Sequence, residues 1–271
     1  MNLLNAMMLK FLWIIIWMVL FGCNAMGADI RVIYDFEYTK DSINSIKGKD
    51  ILYLEISEKA SFCFSYYSYQ TDSLMSTTDG RAIWRELFSA AIAKDGINAT
   101  SFPHKRSTFM ITKYYHSDTI TVKDFIDEDI YTYDVCKNEF DWHICDSTKR
   151  INGFETYMAR CNYHGREWTV WFAPEIPFSD GPWTFCGLPG LVLAAQDKDG
   201  LFSFSMIGFI PNQDLKKDWT RDGKKTDRVI FLKKKYQYLR NLNSAFNAEM
   251  GMNIPYSRDC RYLDGFEPDF K

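Results

Sequence analysis

The sequence has few of the residues and none of the short motifs that mark a well-known chemistry. It contains only four histidines, and no GxSxG, HExxH, GxGxxG, P-loop or EF-hand loop occurs in it. The pattern CxxC is also missing, which argues against a zinc ribbon or a thioredoxin-like centre. The residues by themselves therefore name no reaction, and we expect no cofactor.

Charge of one sign is not in excess. The chain has 32 Lys and Arg against 35 Asp and Glu, a net charge of −3, so nothing points to nucleic acid as a partner. One local excess exists, because Lys216 to Arg240 holds ten basic residues and three Asp. This segment could attract an anionic membrane surface. The alternative is a solvated helix face.

Long apolar runs are also missing, since the longest has eleven residues, Phe11 to Phe21. A membrane-spanning helix needs about 18 or more, so this run predicts a secretory signal peptide over 1–25. Residues 26–271 would then be a single domain in the periplasm or at the outer membrane. Two alternatives stay open: a short anchor left in place, and a lipoprotein with the lipid on Cys23.

Six cysteines follow the predicted cleavage, an even number that allows up to three disulfides. Cys145 and Cys161 are the leading candidates for a bridge. A second hypothesis places His143, Cys145, Cys161 and His164 around one metal ion, because the spacing puts a Cys and a His close together twice. The third alternative is a set of unpaired thiols.

The pattern of the remaining chain predicts mainly strands. Apolar residues alternate along Asp29–Tyr38, and Asp199-Gly200 predicts a hairpin between two apolar runs. Ser61–Tyr69 also reads as a strand. Helices are predicted near 79–95 and near 227–250. We expect a mainly β (α+β) fold, with a curved antiparallel sheet or half-barrel, an inserted helix, a C-terminal helix and an apolar interior.

The segment Trp171–Leu193 holds four of the eight prolines and predicts an ordered loop between strands. Leu188–Leu191 fits a type II turn, with positive φ at Gly190. The loop could present Glu175, Trp183 and Phe185 to a partner, or its aromatic residues could cover the open end of the sheet. The candidate binding residues are Trp171, Glu175, Pro177, Gly181, Pro182, Trp183, Phe185, Gly187, Leu188, Pro189, Gly190 and Leu191.

The run PEIPFSDGPWTFCGLPGLVL resembles the signature of the GLPGLI family, with Val192 at the last motif position. Trp142, the run KRINGF at 149–154 and Gly165-Arg166 before Trp171 are also similar to that family's pattern. The resemblance implies an exported protein of Gram-negative bacteria, often encoded near outer-membrane transport components. It implies no established reaction and no catalytic residue.

These observations favour a non-enzymatic envelope protein that binds either an outer-membrane transport component or an apolar ligand. The first alternative is a metal-handling periplasmic protein that uses the Cys and His cluster. The second is an enzyme of unrecognised chemistry, for which Glu175 is the carboxylate in the ordered loop.

Overall fold

A computed structural model describes residues 29–41, 46–96, 101–211, 222–250 and 267–270. The predicted signal peptide, Cys23, Cys260 and residues 216–221 of the basic segment lie outside these ranges. Within them, no helix is both long and apolar enough to cross a bilayer.

In the described ranges, twelve strands form one curved, open sheet. The strands are β1 (Ile30–Asp41), β2 (Ile46–Ile56), β3 (Ala60–Ser65), β4 (Met110–Tyr114), β5 (Thr119–Ile126), β6 (Asp129–Cys136), β7 (His143–Ile151), β8 (Phe154–Tyr163), β9 (Arg166–Ala173), β10 (Leu191–Asp197), β11 (Phe202–Pro211) and β12 (Lys224–Lys225). Their order in the sheet is β12-β6-β5-β4-β3-β2-β1-β11-β10-β9-β8-β7. Neighbouring strands run antiparallel, except for a short parallel pair between β12 and β6. The predicted mainly β, curved antiparallel fold is confirmed.

Two hairpins on one side of the sheet are set by turn residues with positive φ. Asn152 and Gly153 have φ of 51° and 87° between β7 and β8. His164 and Gly165 have φ of 47° and 83° between β8 and β9. Positive φ at both central residues is the type I′ geometry, which matches the right-handed twist of the flanking strands. Each of these two turns therefore consists of only two residues.

Three α-helices accompany the sheet in the part of the chain that the structure describes: α1 (Tyr66–Met75), α2 (Thr78–Asp95) and α3 (Arg228–Met250). The predicted strand over Ser61–Tyr69 is wrong in its second half. The strand ends at Ser65, whose hydroxyl accepts a hydrogen bond from the Ser68 amide at 3.1 Å and begins α1. Two helices are thus inserted where the sequence predicted one.

Helix α2 was predicted near its observed bounds, but much of its apolar side is open to solvent. Ile83, Leu87 and Phe88 are exposed by 49%, 43% and 37%. The rings of Trp84 and Phe88 nevertheless contact the ring of Phe102. A helical period alone does not say whether a partner covers the apolar face.

Helix α3 begins after Asp227, whose carboxylate accepts hydrogen bonds from the first-turn amides of Val229 and Ile230 at 2.8 and 3.1 Å. Phe231 is fully buried, and its ring lies 5.3 Å from that of Tyr133 on the inner face of the sheet. Its neighbour Ile230 points away from this contact and is 53% exposed.

Candidate functional site

The loop between β9 and β10, residues 174–190, folds onto the inner face of the sheet; we call it the motif loop. Its middle is held by Lys113 on β4, which is only 1% exposed. The Lys113 ammonium donates hydrogen bonds to the Asp180 carboxylate at 2.6 Å and to the carbonyls of Gly181 and Phe185 at 2.7 and 2.9 Å. All three donors of the ammonium group are therefore satisfied.

Lys113 was not among the residues predicted from the sequence, although its position on β4 could have indicated that it points inward. Ile111 and Lys113 are both buried on β4, because alternate residues of a strand share a face. A lysine at an inward position of a strand needs a carboxylate partner in the interior. Asp180 supplies it and also accepts a hydrogen bond from the amide of Gly181 at 2.7 Å.

The aromatic residues of the motif loop belong to the interior rather than to the outer surface. Trp183 and Phe185 are 3% and 0% exposed. The Phe185 ring lies 5.0 Å from Trp168 and 5.8 Å from Phe204, in edge-to-face contacts. Trp183 also has a φ of 53°, an unusual conformation for a non-glycine residue.

A cavity of about 650 Å³ lies beside Trp183, between the inner face of the sheet and α3. Its floor is apolar and continuous with the core, and charged side chains stand around its mouth. The lining residues are Phe36, Tyr38, Lys47, Gly48, Lys49, His104, Lys105, Arg106, Ser107, Thr108, Phe109, Val122, Asp124, Tyr133, Trp183, Phe202, Leu232, Lys235, Tyr236, Leu239, Glu267 and Phe270.

Two charged clusters line the cavity on the α3 side. Asp124 on β5 pairs with Lys235 of α3. Glu267 accepts a hydrogen bond from Arg228 at 2.6 Å, and the same guanidinium binds Asp269 at 2.8 Å. Burial raises the pKa of Glu267 to about 7, although Arg228 acts in the opposite direction.

The structure disperses the twelve loop residues predicted to bind. Trp183 lines the cavity, whereas Glu175 and Pro177 are exposed and do not line it. Trp171, on β9, is half-buried beneath the ammonium group of Lys149, 4.0 Å from the ring. The buried members are Gly181, Pro182, Trp183, Phe185, Leu188, Gly190 and Leu191, and the exposed ones include Gly187 and Pro189. Their role in binding stays a prediction.

The end of the motif loop is not the predicted type II turn. The Gly190 amide donates to the Leu188 carbonyl at 2.8 Å, which closes a three-residue turn, and the Leu191 amide donates instead to Ile176 at 3.0 Å. Gly190 is nevertheless required, because a Cβ there would lie 2.3 Å from the carbonyl oxygen of Ala173.

The predicted Cys145–Cys161 disulfide is wrong. Both thiols are free, as are the other three cysteines in the described ranges. The pairing of His143 with Arg160 puts Cys161 opposite the residue before β7. Cys145 therefore lies three residues further along, about 10 Å away at 3.3 Å per residue, beyond the reach of a disulfide.

The predicted metal cluster is not assembled either. His143 pairs with Arg160, and both are exposed, whereas Cys161, the next residue, is buried and faces the other side of the sheet. His164 instead contacts Asp269 at 3.2 Å and Glu139 at 3.3 Å. Among the described residues, no three His, Cys, Asp or Glu side chains lie where they could share a metal ion.

The buried thiols are also poor nucleophiles. Burial raises the pKa of Cys63 and Cys186 to about 11 and that of Cys161 to about 12. These groups stay protonated at neutral pH, and the thiolate is the reactive form. Cys63 serves instead as a hydrogen-bond acceptor for the Trp183 amide, at 3.3 Å.

Residues 161–194 match a protein family described as "Protein of unknown function (Porph_ging)". The matched stretch runs from β8 to β10 and contains the whole motif loop. A comparison with curated proteins finds no match.

Two solved structures of PNGF-II, in the C2 and P21 space groups, are similar to this chain with TM-scores of 0.54 and 0.53 and 9% identity. Each match covers 78% of this chain, which spans about a third of the PNGF-II chain, 33% and 34%. A domain described as an outer membrane lipoprotein-sorting protein from Vibrio parahaemolyticus matches with a TM-score of 0.30 and 6% identity, covering 72% of this chain and 89% of its own. At that score the similarity does not define a common fold. The chain thus shares its fold with part of PNGF-II, and its motif loop lies within a segment matched by a family of unknown function.

Proposed function

We propose that the protein is a non-enzymatic binding protein of the cell envelope and that its cavity takes an apolar ligand. The observation that carries this proposal is the cavity of about 650 Å³ over an apolar floor. Small-molecule sites commonly measure about 300–1,000 Å³ and are lined mostly by apolar and aromatic side chains with a few polar groups. The cavity has that size, and its floor fits the apolar part of the description.

The polar groups of the lining support binding rather than catalysis. Asp124 is tied to Lys235, and Glu267 is tied to Arg228. A general acid or base must reach the reacting atom and exchange a proton with it. Asp124, which is held by Lys235, is better suited to fixing a wall of the site.

The envelope location is supported by the apolar run of residues 11–21 and by the resemblance of the motif loop to the GLPGLI family. On this proposal the matched family segment supplies Trp183 to the floor, and the motif loop is stiffened by Lys113 so that the floor keeps its shape. An outer-membrane transport component would be the partner that receives or delivers the ligand.

A neutral apolar dye tests the proposal directly. N-phenyl-1-naphthylamine brightens in apolar surroundings, and we expect saturable binding to the purified protein. Val122→Phe should fill the cavity and weaken dye binding about tenfold or more, because Val122 lines the floor at 3% exposure.

Ile207→Phe is the matched control. It adds the same ring on β11, at a side chain that is 58% exposed and does not line the cavity. Its dye affinity should equal that of the unchanged protein. Equal affinity of all three proteins, or no saturable binding, would contradict the proposal.

A further inference from the structure

The floor and the mouth of the cavity differ in chemical character. Phe36, Val122, Trp183 and Phe202 form part of the floor and are each at most 5% exposed. An alkyl chain that displaces water from such a surface gains about 25 cal/mol for each Å² that it covers. The floor by itself therefore selects an apolar group and sets no preference for charge.

Cations gather on one side of the mouth, from two neighbouring segments. Lys47 and Lys49 come from the start of β2, and Lys105 and Arg106 come from the segment before β4. Arg106 joins the two segments, because its guanidinium donates to the Lys49 carbonyl at 2.5 Å. The same guanidinium stacks on the ring of Tyr67 at 3.7 Å, which fixes its position.

The lysines of this group are available to a ligand. Lys47, Lys49 and Lys105 are all exposed. Lys49 pairs with Glu37, and Lys105 pairs with Asp72 at 2.6 Å, but both pairs face solvent. Exposed ion pairs are worth about 0–1 kcal/mol, so a ligand anion can compete for these lysines.

The acidic side chains of the lining do not cancel this charge. Asp124 pairs with Lys235, and Glu267 shares Arg228 with Asp269, on the α3 side. The mouth therefore offers four cations near water, with an apolar floor behind them.

We infer that the ligand is an anionic amphiphile, with an alkyl chain over the floor and a carboxylate or phosphate head at Lys47, Lys49, Lys105 and Arg106. This inference rests on the proposed binding function. The head stays at the boundary with water, so its charge is not stripped of solvent, and the guanidinium and ammonium donors provide charge-assisted hydrogen bonds.

Displacement of N-phenyl-1-naphthylamine from the full-length protein tests the apolar cavity and the anionic head group separately. The competitors share one chain and differ in the head: dodecanoate, 1-dodecanol and dodecyltrimethylammonium, all below micelle-forming concentrations. Dodecanoate should displace the dye at a concentration about tenfold lower than the alcohol, and the cation should be the weakest. Inorganic phosphate alone should leave the dye bound.

A double variant, Lys47→Gln with Lys105→Gln, identifies the cations. It should weaken dodecanoate about fivefold to tenfold and leave dodecanol unchanged. The matched control is Lys198→Gln with Lys225→Gln, which removes two lysines that are exposed by 69% and 82% and do not line the cavity. The control should bind both competitors as the unchanged protein does. Circular dichroism melts establish that each variant is folded.

The outcomes are distinct. Equal displacement by dodecanoate and dodecanol, with no effect of the double variant, would overturn the anionic head while the apolar cavity stands. Displacement by phosphate as effective as that by dodecanoate would also overturn it, because the chain would then be irrelevant. Failure of every alkyl competitor against a bound dye would overturn the proposed function itself.

Discussion

At the scale of single residues, Lys113 decides the conformation of the motif loop. Its ammonium group joins β4 to Asp180 and to two loop carbonyls, all within 2.9 Å. A fully buried ion pair adds little net stability, but a buried charge that loses its partner costs several kcal/mol. The pair therefore specifies where the loop lies more than it strengthens the fold.

Lys113→Met should lower the free energy of unfolding by about 3–5 kcal/mol, because Asp180 would remain buried without its cation. Adding Asp180→Asn should recover part of that loss, since no unpaired charge then remains. Urea denaturation measures both. A double variant that is less stable than Lys113→Met would contradict the explanation.

Lys225→Met is the control for this pair. Lys225 is 82% exposed and lies 3.6 Å from Asp134. Its loss should change the free energy of unfolding by about 0.5 kcal/mol or less. An effect of the size expected for Lys113→Met would mean that removing any lysine has this consequence.

At the scale of elements, the motif loop depends on the close approach of its end to β9. Gly190 has a φ of 155°, and a Cβ there would meet the Ala173 carbonyl oxygen at 2.3 Å. Gly187 has a φ of 88°, but a Cβ there would meet nothing closer than Trp142, at 3.6 Å. Substitutions at the two glycines can therefore be compared to distinguish the cost of positive φ from the cost of crowding against the backbone.

Gly190→Ala should destabilise the protein by about 1–3 kcal/mol more than Gly187→Ala does, because crowding against a carbonyl adds an overpacking cost. Both variants also carry a cost for positive φ, of the order of 1–3 kcal/mol. Thermal or urea unfolding of the two variants side by side measures the difference. Equal destabilisation would show that the approach to Ala173 relaxes at no cost.

At the scale of the whole molecule, the inner face of the open sheet is covered by the motif loop on one side and by α3 on the other. Arg228, at the start of α3, ties Glu267 and Asp269 of the C-terminal segment to this face. Asp269 in turn contacts His164 in the β8–β9 turn. This cluster connects three parts of the chain that are distant in sequence.

The raised pKa of Glu267, about 7, links this cluster to global stability. The folded protein holds the Glu267 proton more tightly than the unfolded chain, in which the pKa is about 4.3. The stability that this proton contributes is present at low pH and is lost as pH rises from about 4.3 to about 7. Glu267→Gln, which does not titrate, should remove that loss.

The measurement is the free energy of unfolding at pH 5 and pH 8. The decrease in the free energy of unfolding from pH 5 to pH 8 should be about 1–3 kcal/mol larger in the unchanged protein than in Glu267→Gln. His164, Asp269 and Glu139 lie near Glu267 but are common to both proteins. Glu175→Gln, at an exposed carboxyl of the motif loop, should leave the fall unchanged. An identical fall in Glu267→Gln would refute the assignment.

Local patterns in the sequence were enough to predict most strands and their turns. The alternation of Val32, Tyr34 and Phe36 placed β1 on the inner face, and Asp199-Gly200 placed the β10–β11 hairpin. Such features depend on neighbours two to four residues away. Helix α2 was likewise predicted near its observed bounds, although its packing was not.

Other features follow from contacts between residues far apart along the chain. Lys113 and Asp180 are 67 residues apart, and no local period signals their pairing. The disulfide and metal hypotheses failed for the same reason, since sequence spacing does not give the register that puts Cys145 and Cys161 about 10 Å apart. The sequence by itself determined strands, turns and an ordered proline-rich loop, because these are local. Only the tertiary structure decided which face of that loop is buried, which charges meet and where a cavity remains, because these depend on packing across the whole sheet.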